Sequence, residues 1–319
     1  MRLLKMNSNK QFYIPMEKQI DVTSDYIFKG IFRDPDRARD FLENVLVGEG
    51  KILPEGTIIQ EIEYLPTEHI QDKLPEDAKK TIFDLQIKTT HGIFIIEMQK
   101  NISQEYLKRI EFYNAISYSH QQIKNSKEKS SMRDYTKAFP IVTVSVIKDM
   151  IFDEAVPCVS YHTTIESKTK KQYLNAFSYV FIELEKFNNP KYDQANISIS
   201  EKEWLSFMKT QELEHQYDNE QVNNAVKYVQ YIKNNNYDEY IRAEIAEMAA
   251  KIKEREAREE GVEKGIEIGI GKGREEGREE GRGEGIEKVA KNLLKQGIEI
   301  SIIATATGLT EDEISKLKD

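Results

Sequence analysis

Two short alternating stretches stand at the centre of the hydrophobic pattern. Ile82–Lys88 places Phe83, Leu85 and Ile87 on one face and Asp84, Gln86 and Lys88 on the other. Ile93–Gln99 places Phe94, Ile96 and Met98 on one face and Ile93, Ile95, Glu97 and Gln99 on the other. His91-Gly92 between them reads as a two-residue hairpin turn in which glycine takes a positive φ. That turn pairs Thr90 with Ile93, so Asp84 is expected opposite Gln99 and Gln86 opposite Glu97.

The flanking pattern predicts alternating helices and strands. Thr23-Ser24 caps a helix over DYIFKGIF, where Asp25 is placed to pair with Lys29 one turn on. Asp36–Val47 carries an apolar stripe of Ala38, Phe41, Leu42, Val45 and Leu46, with Glu43 well off it. Ile58–Leu65 predicts a strand, followed by a polar loop through Lys80. Ser103 opens a helix reaching about Ile123, on which Arg109 and Tyr113 are one turn apart. Phe139–Ile147 is almost wholly apolar and predicts a strand buried on both faces. Val156–Ile165 and Phe177–Leu184 add strands, the latter closing the sheet. The implied fold class is α/β, a mixed central sheet flanked by helices. From about Ile199 the chain reads as all-helical, with a capping box at Ser200–Glu203 and an apolar row at Val222, Val226 and Val229.

Composition narrows the class. The chain has 319 residues, 39% of them hydrophobic and 32% charged, and no apolar run reaches membrane-spanning length. The N-terminal segment is basic without an apolar core, which does not read as a secretory signal. A single Cys158 excludes an internal disulfide and fits a reducing, cytoplasmic setting. Five scattered histidines argue against zinc. The net charge of −9 argues mildly against nucleic acid. Local basic runs oppose it, at Gln121–Lys137 and at Lys168, Lys170 and Lys171. Each alone reads as a solvated loop.

Asp84 and Glu97 put two carboxylates on one face of the hairpin, and such a pair repels unless a cation lies between, with Mg²⁺ or Mn²⁺ suited to hard oxygen ligands. An Asp on one strand and Glu97-Met98-Gln99 on the next resembles the PD-(D/E)XK nuclease superfamily, with Gln99 in place of the usual lysine. Asp25-Tyr26-Ile27-Phe28-Lys29 with Phe32, the IEMQ run, Arg109 and Tyr113 are more narrowly similar to the Rpn group of recombination-promoting nucleases and transposases. The resemblance covers about the first two-thirds of the chain. It implies a restriction-endonuclease-like core and a metal-dependent DNA endonuclease linked to recombination or mobile elements. Asp84, Glu97 and the Met98 carbonyl would hold Mg²⁺, and Gln99 would orient water or phosphate. Lys100 or Arg109 would supply the charge of the missing lysine. Asp25 is either a third carboxylate of the site or only the partner of Lys29. Glu43, an acid on an early helix, is a weaker candidate. A catalytically silent fold relative, acting as a DNA-binding or assembly module, is the alternative.

The tail is organised differently. Gly261, Gly265, Gly269, Gly273, Gly277, Gly281 and Gly285 recur every four residues, aligning Arg274, Arg278 and Arg282 beside Glu276, Glu280 and Glu284. Each glycine costs a helix about 1 kcal/mol against alanine. The repeat therefore reads either as a solvated linker or as a helix stabilised by a second copy, a route to a homo-oligomer. Ile286–Gln296, Ser301–Thr307 and Thr310–Leu317 then read as three short helices, spaced somewhat like a helix-turn-helix. Glu311-Asp312-Glu313 makes the third electronegative, which favours a docking or oligomerisation unit. The expected divisions are 1–198 for the nuclease-like domain, 199–250 for a helical extension, 251–287 for the repeat and 288–319 for the terminal unit.

Overall fold

The structure is a computed structural model that describes residues 2–5, 11–14, 18–70, 80–100, 105–128, 137–194 and 197–317. The chain divides into two compact units, Met1–Ile245 and Ala246–Asp319. In the first unit a short hairpin, β1 (Arg2–Lys5) with β2 (Gln11–Ile14), precedes α1 (Asp25–Phe32) and α2 (Pro35–Leu46). Then come β3 (Glu63–Tyr64), β4 (Glu68–Ile70), β5 (Lys80–Ile82), β6 (Leu85–Lys88), β7 (Ile93–Gln99) and α3 (Tyr106–Glu128). They are followed by β8 (Ile141–Ile147), β9 (Val159–Thr163), β10 (Phe177–Glu183), α4 (Ile199–Thr210) and α5 (Glu220–Asn235). The helix α6 (Tyr237–Lys295) starts in this unit.

A six-stranded mixed sheet runs in the order β3-β6-β7-β8-β10-β9. β7, β8 and β10 are parallel, with antiparallel neighbours on both sides. β7 connects to β8 through α3, because a parallel pair needs a long crossover. β10 thus lies inside β9 and does not close the sheet as expected. The strand expected over Ile58–Leu65 shrinks to Glu63–Tyr64, and that over Val156–Ile165 to Val159–Thr163. Both pair on one side only, so the ladder ends where the single neighbour does.

Each face of the sheet has its own core. On one, Leu85, Ile87, Phe94, Ile96, Val142, Val144 and Ile182 pack with α1, α2, α4 and α5. Phe32, Phe41 and Trp204 meet there with ring centroids 4.7–5.7 Å apart, a contact geometry favoured by aromatic quadrupoles. The indole N–H of Trp204 is satisfied by Asp40 at 2.6 Å. On the other face, α3 lays Tyr106, Ile110 and Tyr113 over Phe83, Ile93, Ile95, Ile147 and Phe181. Double-sided burial explains the unbroken apolar run of β8.

Local signals mostly act where the sequence placed them. Ser24 caps α1, its Oγ accepting from the amide of Ile27. Asp34 caps α2, which begins at Pro35, one residue before the expected start at Asp36. The capping box before α4 is Ser198 with Glu201, not Ser200 with Glu203, because the helix begins two residues sooner. Ser103, the expected cap of α3, falls outside the described residues, as do Lys129 and Arg133 of the basic run.

The central hairpin differs in register. Leu85 pairs with Ile96 and Lys88 with Ile93, and the turn takes Thr89, Thr90, His91 and Gly92. Thr89 N donates to Gly92 O at 2.9 Å, and His91 N to Thr89 Oγ1 at 3.1 Å. Gly92 does not have a positive φ. Its role is close approach: a Cβ there would lie 3.0 Å from Pro140 O, which accepts the Ile93 amide at 2.9 Å. The slip is two residues, so no side chain on β7 changes face. Phe83 does change: the chain bends at Asp84, and Phe83 packs beside Tyr113 instead of with Leu85 and Ile87.

In the second unit the glycine repeat is helical throughout, and a Cβ built at any glycine from Gly261 to Gly285 meets nothing within 4 Å. The expected separate helix at Ile286–Gln296 is the end of this same helix. α7 (Ile300–Thr307) and α8 (Glu311–Lys316) follow, packing Ile303 and Ile314 on Ala290. Gly297 and Gly308, at φ 77° and 75°, make the turns. Thr310 and Glu313 form the expected capping box.

Candidate active site

The site is built where β5 gives way to β6. The bend at Asp84 replaces the regular ladder with side-chain bonds. Asp84 N donates to Glu97 Oε1 at 3.2 Å, and Asp84 Oδ2 accepts from Met98 N at 2.8 Å. Asp84 and Glu97 are therefore direct neighbours. Gln86, expected opposite Glu97, instead faces Ile95 and donates to Ser117 Oγ at 2.5 Å beneath α3.

Cations flank this pair on two sides. Lys29 Nζ lies 2.6 Å from Asp25 and 3.4 Å from Asp84, so one ammonium links two acids across helix and sheet. Asp25 thereby borders the site through Lys29. On the other side Gln99 Nε2 lies 3.4 Å from Glu97 Oε2, while Gln99 Oε1 accepts from Arg109 at 3.2 Å. The Arg109 guanidinium also sits over the Tyr106 ring, 5.3 Å from its centroid. Below, Tyr106 donates to Ser145 Oγ at 2.7 Å.

Two sequence candidates are placed differently. Lys100 turns to Asp21 at 3.1 Å and Glu244 at 3.8 Å. Glu43 accepts from the amide of Ile59 at 2.7 Å, an anchor for the segment ahead of β3. Gln86 belongs to the α3 contact. Lys29 is the residue sequence reasoning missed as a site cation. Its signal was present, since it stands one turn from Asp25, but its second partner lies far away in sequence.

Burial sets the charge state. Glu97 is 6% exposed. Desolvation lifts the Asp84 carboxyl to about 6, although Lys29 and the Met98 amide oppose the shift. Desolvation, then the charge of Asp84, raises Glu97 well above the ordinary range. Burial works against the Lys29 ammonium, yet Asp84 and Asp25 together raise its pKa. A buried carboxyl, Glu97, beside a partly buried one, Asp84, is a donor set that suits a hard divalent cation. No group of three or more His, Cys, Asp or Glu side chains suited to a metal occurs among the described residues. Further ligands would be backbone, water or phosphate oxygens.

Among the described residues, no helix is long and apolar enough to cross a membrane. Comparison with known families gives two matches. Residues 284–319 match the model of the Rpn/YhgA-like nuclease family C-terminal HTH domain. That match favours helix-turn-helix over the docking unit inferred from the acidic start of α8. No curated protein and no solved structure matches the chain. Residues 22–261, well over half of the chain, match the model of the PD-(D/E)XK nuclease family transposase. The match contains α1, the hairpin with Asp84 and Glu97, and Arg109, and the chain belongs to the PD-(D/E)XK nuclease transposase family.

Proposed function

We propose that this protein is a metal-dependent DNA endonuclease acting in the cytoplasm on recombining or mobile DNA. The observation that carries the reading is the adjoining Asp84–Glu97 pair, with Glu97 buried and Asp84 partly so, Asp84 bound to the Met98 amide of β7, Lys29 beside Asp84 and Arg109 held at Gln99. Asp84, Glu97 and the Met98 carbonyl would hold Mg²⁺ or Mn²⁺. Such an ion, when bound, polarises a phosphoryl oxygen and makes a bound water more acidic. Gln99 has no charge to offer, but Arg109 and Glu97 fix its amide, so it can orient a water or a phosphate oxygen. Positive charge for the phosphorane-like transition state falls to Lys29 and Arg109. Asp25 holds Lys29 in place. The helix-turn-helix match supports DNA as the partner.

The test is nicking of supercoiled plasmid by purified protein with Mg²⁺ or Mn²⁺, beside Asp84→Ala. Loss of nicking in the variant supports the assignment, and equal nicking by both identifies a contaminant. The rival is a catalytically silent binding module, kept in view by Gln99 where the superfamily has lysine. Calorimetric titration with Mn²⁺ separates them, since the rival needs no affinity for the ion at Glu97.

A further inference from the structure

Between β9 and β10 the chain leaves the edge of the sheet as a finger, Thr164–Asn175, every residue of which is exposed. Its tip is closed by backbone bonds, Glu166 N to Lys171 O at 2.9 Å and Lys170 N to Glu166 O at 2.9 Å. The finger holds Lys168, Lys170 and Lys171 against a single acid, Glu166. That acid is turned inward, accepting from Lys168 N at 3.0 Å and Thr169 N at 2.7 Å. Those bonds hold its carboxyl down at about 2, so it stays ionised yet is spent on the loop's own amides. None of the three lysines forms an ion pair among the described residues. Tyr173 and Leu174 stand beside them at 70% and 68% exposure. A net-acidic chain that gathers unpaired lysines around a bare aromatic and a bare leucine presents a face for a polyanion with apolar edges.

We propose that the β9–β10 finger grips double-helical DNA, with Lys168, Lys170 and Lys171 on phosphates and Tyr173 and Leu174 against sugars or a groove wall. The proposal rests on the nuclease reading and adds a second point of contact to it. At its root Phe177 is in register with Ile141, and Ile141 with Ile93. With ~3.3 Å per residue and ~4.8 Å per strand, that root lies roughly 16 Å from the Cα of Glu97. The lysines stand five to seven residues beyond the strand ends, at most roughly 23 Å farther at ~3.3 Å per residue, so a duplex a little over one turn long reaches both. Phosphate contacts give salt-dependent affinity, each adding ~0.9 to the slope of log K on log salt. Apolar contacts leave that slope unchanged.

The experiment measures anisotropy of a labelled 30-base-pair duplex across a salt series, using the full chain. It compares wild type with Lys168→Glu/Lys170→Glu/Lys171→Glu and with Tyr173→Ala/Leu174→Ala. The charge reversal is expected to weaken binding at least tenfold at 100 mM salt and to lower the slope by about 2 to 3. The apolar double variant is expected to weaken binding severalfold at an unchanged slope. All five residues are exposed, and unchanged circular dichroism would show that the fold is kept. If both variants bind as wild type while wild type still nicks plasmid with Mn²⁺, the finger proposal fails and the nuclease reading stands. A wild type that neither binds nor nicks overturns both. Variants that keep duplex binding but lose binding to phosphatidylserine vesicles would reassign the finger to a lipid surface.

Discussion

Asp84 and Glu97 hold each other through the backbone: the amide of the first donates to the carboxylate of the second, while its own carboxylate takes the Met98 amide. The two acids cannot separate without breaking the bend that begins β6. A bound divalent ion should therefore stabilise the first unit. At a hundredfold excess over Kd the gain is about 2.7 kcal/mol, seen as a raised Tm. Asp84→Asn should abolish that metal-induced rise while keeping the fold. An equal Tm rise in wild type and variant would place the ion elsewhere.

Lys29 links Asp25 to Asp84 with side chains only partly exposed. Lys29→Gln should lower single-turnover cleavage by about 10²-fold, the scale of losing one positioned charge in a transition state. Lys29→Arg should restore part of the rate. Asp25→Ala should lose less, since Asp84 still faces the ammonium. Rates unaffected by Lys29→Gln would reduce the lysine to a structural partner.

His162 gives a pH prediction apart from the acidic pair. Its ring stacks on Phe152 at 5.0 Å and its Nε2 lies 2.9 Å from Ser160 Oγ. Burial holds its pKa below 6.5, with Glu183 opposing. The unfolded chain therefore takes the proton first as pH falls. The stability contribution is full above pH 6.5 and is lost as pH falls through the folded value. His162→Phe should flatten the difference in urea-unfolding stability between pH 7 and pH 5. An NMR titration midpoint at or above 6.5 would contradict this.

The glycine repeat leaves Val262, Ile266 and Ile270 exposed at 57%, 58% and 61% along a helix whose glycines touch nothing. Ion pairs one turn apart, such as Arg255–Glu259 and Lys264–Glu260, contribute about 0.2–0.5 kcal/mol each against about 1 kcal/mol lost per glycine. The full chain is expected to self-associate more strongly than a chain ending at Ala250, through the repeat of a second copy. Sedimentation at matched concentrations checks it; identical oligomeric states in both would leave the repeat as a spacer.

Much of this protein was legible in its residues one after another. Alternation marked β7, an unbroken apolar run marked β8, the stripe of Ala38, Phe41, Leu42 and Val45 marked α2, and Thr310 with Glu313 marked the start of α8. The family followed from Asp84, the IEMQ run and the DYIFK segment taken in order, and the family match covers them all. Periodicity is a local property, fixed by the helical and strand repeats. Tertiary structure decided the rest, because it depends on partners distant in sequence. Pro140 lies against Gly92 at the hairpin turn, and the bend at Asp84 brings that residue to Glu97. Asp21 and Glu244 drew Lys100 away, while the packing of α1 against the sheet delivered Lys29. Which lysine reaches an acid is a matter of where the chain returns in space, and spacing along the sequence does not encode that.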